Sequence, residues 1–399
     1  MPQTDSHLMR AYARQPVSFV RGRGASLWDE QGVEYLDAIA GVAVTSLGHA
    51  HPELAAVMAE QAATLLHTSN VFRIDWQEQL GERLCALAGM EKVFFCNSGA
   101  EANETALKLA RLHGHRKQVA VPQILVMENA FHGRTLATLA ATGNAAKQQG
   151  FEPQMPGFVR VPYDDIDAVR RAAQEVPGIV AVLVEPVQGE GGIRVASPGY
   201  LRALRELCDS QGWLLMLDEI QTGLGRTGAW FAHRHAGITP DVMTLAKALG
   251  NGVPIGACLA RGSAANLFCP GQHGSTFGGN PLACRVACAV LDIMERDGIA
   301  QRAAQLGERL LAGLRRALGG HPGVQAIRGL GLMAGIELNR NCQELVGRAL
   351  AEQRLLITVT RERTIRLLPP LICEEAQIDD IVARVASLCR HSGASHQAV

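Results

Sequence analysis

The chain alternates short, unbroken apolar runs with segments of helical period. "KVFFCN" at 92–97 predicts a strand, and "AEANETALKLARLHG" at 100–114 predicts a helix that stops at Gly114. Further strands are predicted at "QILVMEN" (123–129), "GIVAVLVEPV" (178–187), "GWLLMLDEI" (212–220), "DVMTLAK" (241–247) and "PIGACLA" (254–260). Most of these runs are continuous rather than alternating, as expected of mainly parallel strands covered on both faces. Helical patterns such as "GYLRALRELCDSQG" (199–212) lie between them. The middle of the chain therefore predicts an α/β sheet with helices on both sides.

Near Ala283 the pattern changes. One long helical pattern covers 283–320, and "VQAIRG", "LMAGIEL" and "TIRLLPP" follow as shorter strand candidates before a closing helix, "IDDIVARVASLCR" (378–390). That predicts a smaller α+β domain, joined by N-terminal residues such as "GASLWDEQGVEYLDAIAG" (24–41). The expected division is an N-terminal segment over 1–50 packing with the small domain, a large domain over 51–285 and a small C-terminal domain over 286–399. Residues 391–399, "HSGASHQAV", read as a frayed polar tail.

Charge and cysteine content narrow the function. Lys plus Arg equals Asp plus Glu at 38 each, so the formal net charge is zero. A dedicated nucleic-acid or membrane-surface binder would carry a basic face. The ten cysteines are scattered with no C-x-x-C pair, which predicts a reduced, cytoplasmic protein. The first residues hold no secretory h-region, and no uncharged apolar stretch is long enough to span a bilayer.

Ligands of open α/β sheets bind outside the carboxyl ends of the strands, so the residues after each predicted strand are the ones to read. Ser98, Gly99 and Ala100 open a helix, where free N–H groups and the helix dipole attract an anion; Ser98 could equally be a helix cap alone. In "AFHGRT", Phe131 and His132 could cover a planar ring and Arg134 could grip a carboxylate, or Phe131 could be core and Arg134 surface. Glu185 and Glu190 in "EPVQGEGG" could salt-bridge an arginine or face water. Asp218 ends a very apolar strand and needs a cation or several donors.

Gly223, Gly225 and Gly228 fit G-x-G-x-x-G. That fingerprint should start directly after the strand and open a helix; here Glu219–Thr222 intervene, so the dinucleotide reading is rejected. Three H-x-H pairs, 49/51, 113/115 and 233/235, have no carboxylate or cysteine cluster beside them, so no metal is expected. Lys247, in "TLAKALGNG", is a lone ammonium in an apolar run, and burying it unpaired is costly. An anion cradle, an aromatic, a buried Asp and a desolvated Lys together suit a cofactor with a phosphate, a ring nitrogen and an aldehyde: pyridoxal phosphate.

"NSGAEANETALKLAR", "AFHGRT", "VEPVQGEGG", "DEIQTGLGRTG", "TLAKALGNG" and "STFGGNP", in this order along most of the chain, resemble the class III, ornithine-type, pyridoxal-phosphate-dependent aminotransferases. The resemblance implies PLP-dependent transferase fold type I and a homodimer with shared active sites. It implies that Lys247 is the Schiff-base lysine, that Asp218 partners the pyridine nitrogen and that Gln221 donates to the ring 3-hydroxyl. Ser98, Gly99 and Ala100 would cradle the phosphate, with Thr276 reaching it from the other subunit. Phe131 would stack on the ring with His132 near it, and Arg134, Glu190, Ser275 and Arg366 would serve the substrate. Glu190 and Arg366 resemble a switch pair, the Glu masking the Arg for the amine donor and freeing it for the carboxylate of the acceptor, 2-oxoglutarate. One departure is Asn251, where the family often has Gly; Asn tolerates a left-handed backbone. Within the family, "LGHAHPELAAVMAEQAATLLHTSNVF" is most similar to enzymes acting on acetylornithine or succinylornithine. N2-acetylornithine is the favoured donor; ornithine, 4-aminobutyrate and a catalytically lost relative are the alternatives.

Overall fold

The computed structural model of the protein describes residues 7–390. Its centre is a seven-stranded sheet of β1 (Lys92–Cys96), β2 (Gln123–Met127), β3 (Phe158–Val161), β4 (Ile179–Val184), β5 (Leu214–Asp218), β6 (Val242–Leu245) and β7 (Gly256–Ala260), in the order β1-β7-β6-β5-β4-β2-β3. β7 pairs antiparallel with both of its neighbours, and every other pairing is parallel. Every residue of β4, β5, β6 and β7 is buried, which explains their unbroken apolar runs: helices cover both faces. β3, "FVRV", is too short and too mixed to stand out in the sequence, and it occupies the sheet edge.

The long helical pattern of 283–320 is not one helix. Pro281–Arg296 ends at Asp297, Gly298 takes a left-handed φ of 58°, and Ile299–Leu318 starts anew. Glycine reaches that conformation without a Cβ penalty, so a periodic pattern can pass through a turn that redirects the chain. The expected division at 285/286 falls inside the first of these helices, which packs against Pro52–Thr64 and Asp75–Ala88. Beyond it stands an antiparallel sheet in the order Val324–Leu330, Met333–Leu338, Thr364–Leu367, Thr358–Thr360. The N-terminal strands Phe19–Arg23, Ser26–Asp29 and Glu34–Asp37 form a second small sheet, closed by parallel pairing of Glu34–Asp37 with Leu355–Leu356. The closing helix is Glu375–Arg390; the tail of 391–399 lies outside the described residues.

Arg226 joins these layers. It is 1% exposed, and its guanidinium donates to the carbonyls of Leu332 (2.9 Å) and Pro369 (2.6 Å) and to Ser46 Oγ (3.2 Å). The "GLGRTG" glycines thus let a loop press a buried arginine between domains. Burial pushes its pKa down to about 9. Among the described residues, no helix is long and apolar enough to cross a membrane.

Candidate active site

The cavity of about 380 Å³ that opens beyond the carboxyl ends of β4 and β5 draws each of its walls from a different loop. At its anion-binding corner, β1 leads through Asn97 and Ser98 into the helix Gly99–Arg116. Ser98 is the helix cap: its Oγ accepts the Glu101 N–H at 3.2 Å, while Glu101 Oε2 accepts the Asn97 N–H at 2.6 Å. The N–H groups of Gly99 and Ala100 have no acceptor within the helix, and both residues line the cavity. A Cβ on Gly256 of β7 would lie 2.4 Å from the Ser98 carbonyl oxygen, so glycine is needed where β7 passes beneath this turn.

Asp218 ends β5, 4% exposed. Its Oδ2 accepts from Asn103 Nδ2 and faces His132 Nδ1, both at 2.8 Å, and its Oδ1 accepts the Ile220 N–H at 3.1 Å. Several donors, rather than one cation, hold the buried carboxylate. His132 is therefore turned toward Asp218, while Phe131 takes the more open side of the cavity, with Arg134 at 5.5 Å and Lys147 at 4.9 Å from its ring. Asn103 is fully buried and also accepts from Thr244 Oγ at 2.8 Å. Sequence reasoning passed over Asn103. The available signal was a polar residue on an apolar helix face, three, four and seven positions before Ala106, Leu107 and Ala110.

Lys247 follows β6 at the start of a short 3-10 turn, with a left-handed φ of 47°. Such backbone costs about 1–3 kcal/mol and concentrates at functional sites. The side chain is partly open to the cavity and otherwise enclosed by protein. Burial first, and the Arg366 guanidinium second, push the amine from 10.5 down to about 8, against the pull of Asp218, Glu190 and Glu185. Asn251 also takes positive φ, 45°, and its side chain ties the turn down: Oδ1 accepts the Leu47 N–H at 2.8 Å and Nδ2 donates to the Gly48 carbonyl at 3.2 Å.

Glu185 neither pairs with an arginine nor faces water. It accepts the N–H groups of Phe131 (2.9 Å) and Gly189 (3.2 Å), joining two cavity loops, and its burial raises its pKa to about 7. Gln221 lines the cavity with its Oε1 buried and without a hydrogen-bond partner among the described residues. His132 Nε2 is in the same state. A buried polar atom left unpaired costs about 1–3 kcal/mol, so both atoms are ready for a ligand.

Arg366 is buried behind Glu190 and does not itself line the cavity: its Nη1 donates to Glu190 Oε1 at 2.7 Å while its Nε donates to Thr358 Oγ at 3.1 Å. Burial alone would raise the Glu190 pKa, but Arg366 and then Lys147 pull it below the ordinary value. Lys147, another residue missed in the sequence, stands 3.5 Å from Glu190 Oε2. Ser275 and Thr276 do not line this cavity: Ser275 Oγ accepts from Asn97 Nδ2 at 3.3 Å, and Thr276 is exposed. Of the H-x-H pairs, His49 faces Asp37 at 2.7 Å, His113 the Gly212 carbonyl at 3.0 Å and His233 Glu219 at 2.9 Å.

The arrangement offers a helix start with free N–H groups, a fixed carboxylate, an amine of lowered pKa and a guanidinium paired with Glu190. The aminotransferase class-III family matches residues 9–388 of the chain. The acetylornithine aminotransferase of Nitrosomonas europaea is 55% identical over 96% of this chain and 97% of its own. Acetylornithine aminotransferase 1 of Bordetella bronchiseptica is 53% identical over 98% and 100%. Among solved structures, the ornithine aminotransferase of Toxoplasma gondii ME49 superposes with a TM-score of 0.93 at 37% identity, covering 97% of this chain and 93% of that one. The acetylornithine aminotransferase of Elizabethkingia anophelis gives 0.86 at 36% identity, covering 96% of each.

Proposed function

The chain belongs to the class III aminotransferases, and from that membership we propose that it moves the terminal amino group of N2-acetylornithine to 2-oxoglutarate. The products are N-acetylglutamate 5-semialdehyde and glutamate, a step of arginine biosynthesis. The observation that carries the choice of donor is identity of 53–55% over nearly full length to acetylornithine aminotransferases. The cofactor is pyridoxal 5'-phosphate, and the residues present fit it: the Gln221 side-chain amide lines the cavity with its Oε1 unpartnered among the described residues, free to turn its N–H group to the ring hydroxyl oxygen, and the Gly99–Ala100 turn suits the phosphate.

When bound, the cofactor supplies an aldehyde to hold the substrate nitrogen and a ring that draws electrons from the substrate carbon. Asp218, held by Asn103 and His132, keeps the ring nitrogen protonated. Lys247 Nζ, with its pKa lowered to about 8, has a neutral fraction near pH 7 that serves as nucleophile and then as the base that takes the carbon-bound proton. Arg134 at the rim grips the donor carboxylate, and Glu190 masks Arg366 until a dicarboxylate acceptor arrives.

A second copy completes the site. Leu66, Val71, Phe72 and Phe277 are 52–81% exposed and lie together, since Asn70 Nδ2 donates to the Ser275 carbonyl and the Leu282 N–H to that of Leu66. An apolar patch of this kind marks an interface, and the exposed Thr276 within it would reach the partner's phosphate site. None of the ten cysteines forms a disulfide, which fits the reducing cytoplasm. Comparing kcat/KM for acetylornithine, succinylornithine, ornithine and 4-aminobutyrate tests the donor; a preference for 4-aminobutyrate sinks this choice.

A further inference from the structure

The Glu190–Arg366 pair has a further cation beside it, Lys147. Arg134 and Lys147 flank the Phe131 ring at 5.5 and 4.9 Å, and Arg366 approaches from the small domain. Glu190 sits at 2.7 Å from Arg366 through Oε1 and at 3.5 Å from Lys147 through Oε2. The Glu190 and Lys147 side chains are 29% and 25% exposed, so neither can be fully solvated where it stands.

The two substrates differ in charge at this place. The donor brings one carboxylate, which Arg134 takes, leaving Glu190 on Arg366. The acceptor brings two, which take Arg134 and Arg366. Glu190 then loses the nearer of its two cationic neighbours while half-buried, and a carboxylate left short of positive charge there is costly. We infer that Lys147 is the alternative partner of Glu190, the residue onto which its carboxylate turns when Arg366 is given up to a dicarboxylate acceptor. Acceptor binding then leaves three anions facing three cations, and Glu190 needs only to exchange one near neighbour for another. The Lys147 ammonium lies 4.9 Å from the centre of the Phe131 ring, a contact that helps hold it beside Glu190. In this account Lys147 is a positioning residue that acts through Glu190 and selects for acceptors with two carboxylates.

The inference rests on the switch reading of Glu190 and Arg366, and the experiment separates the two. The donor half-reaction with acetylornithine and the acceptor half-reaction with 2-oxoglutarate are measured by rapid mixing on the holoenzyme, for the wild type, Lys147→Met, Lys147→Arg and Glu190→Gln. Lys147→Met keeps the apolar stem and loses the charge. It should lower the acceptor-to-donor ratio of kcat/KM by about two- to fivefold, the size of a lost partly exposed ion pair, and Lys147→Arg should restore most of the ratio. Glutarate, which has two carboxylates and no reactive carbonyl, gives a second readout: its Kd by calorimetry should rise by the same factor in Lys147→Met. Equal losses in both half-reactions would show a merely structural role and overturn the inference. If Glu190→Gln changes the ratio and Lys147→Met does not, Lys147 alone is ruled out. If Glu190→Gln has no effect on the ratio, the switch itself is wrong and the inference falls with it.

Discussion

His132 Nδ1 lies 2.8 Å from Asp218 Oδ2, with the two side chains 0% and 5% exposed. Asn103 Nδ2 reaches the same oxygen at the same distance, so a chain of buried polar groups from Thr244 through Asn103 aims the carboxylate. Such networks lose more than one bond when a member is removed, because the remaining groups are left unpaired.

Replacing Asn103 by Leu should therefore destabilise the apoprotein by about 1–3 kcal/mol in denaturant titrations. The same change should lower kcat by about tenfold or more, since Asp218 is no longer held at the ring nitrogen. An Asn103→Leu enzyme with wild-type kcat would show that this network does not serve catalysis.

The parts of this site that were legible in the sequence are those where polarity conflicts with its surroundings. Lys247 and Asp218 stand out because each is a charge in a strongly apolar run, and Gly99 and Ala100 because a strand meets a helix there. Asn103 was hidden because one amide in a long helix resembles an exposed position, and its partners lie 29 and 115 residues away. Lys147, in "NAAKQQG", reads as a solvated turn until the fold brings Glu190 to it. The break at Gly298 was concealed because only Asp297 and Gly298 separate two helical patterns, although the apolar face of the second helix lies about half a turn around from that of the first. Tertiary proximity, not local pattern, decides the roles of Asn103 and Lys147.

Asn251 provides a backbone test. Asn251→Gly keeps access to the left-handed φ of 45° but loses the bonds to Leu47 and Gly48; Asn251→Ala loses the bonds and adds strain. Thermal and denaturant unfolding of the apoprotein should rank wild type above Gly and Gly above Ala, with about 1 kcal/mol between the two variants. Equal stability of the two variants would contradict the strained turn.

Lys247 makes cofactor capture depend on pH. Its amine loses a proton near pH 8 in the folded protein but near 10.5 when ordinarily solvated. The rate at which apoprotein develops the visible absorption of covalently held pyridoxal phosphate should rise with pH through a midpoint near 8. Between these two values the unfolded chain binds more protons than the folded one, so apoprotein stability from this group rises with pH across that interval and is lost as pH falls through 8. A capture midpoint near 10.5 would mean that the amine is not desolvated.

The most direct test of the account is to locate the cofactor. Purified protein incubated with pyridoxal 5'-phosphate is reduced with borohydride, digested and examined by mass spectrometry. The account predicts one stoichiometric modification, on the peptide containing Lys247, and its loss together with transamination in Lys247→Ala. Modification at a different lysine, or none at all, would contradict it.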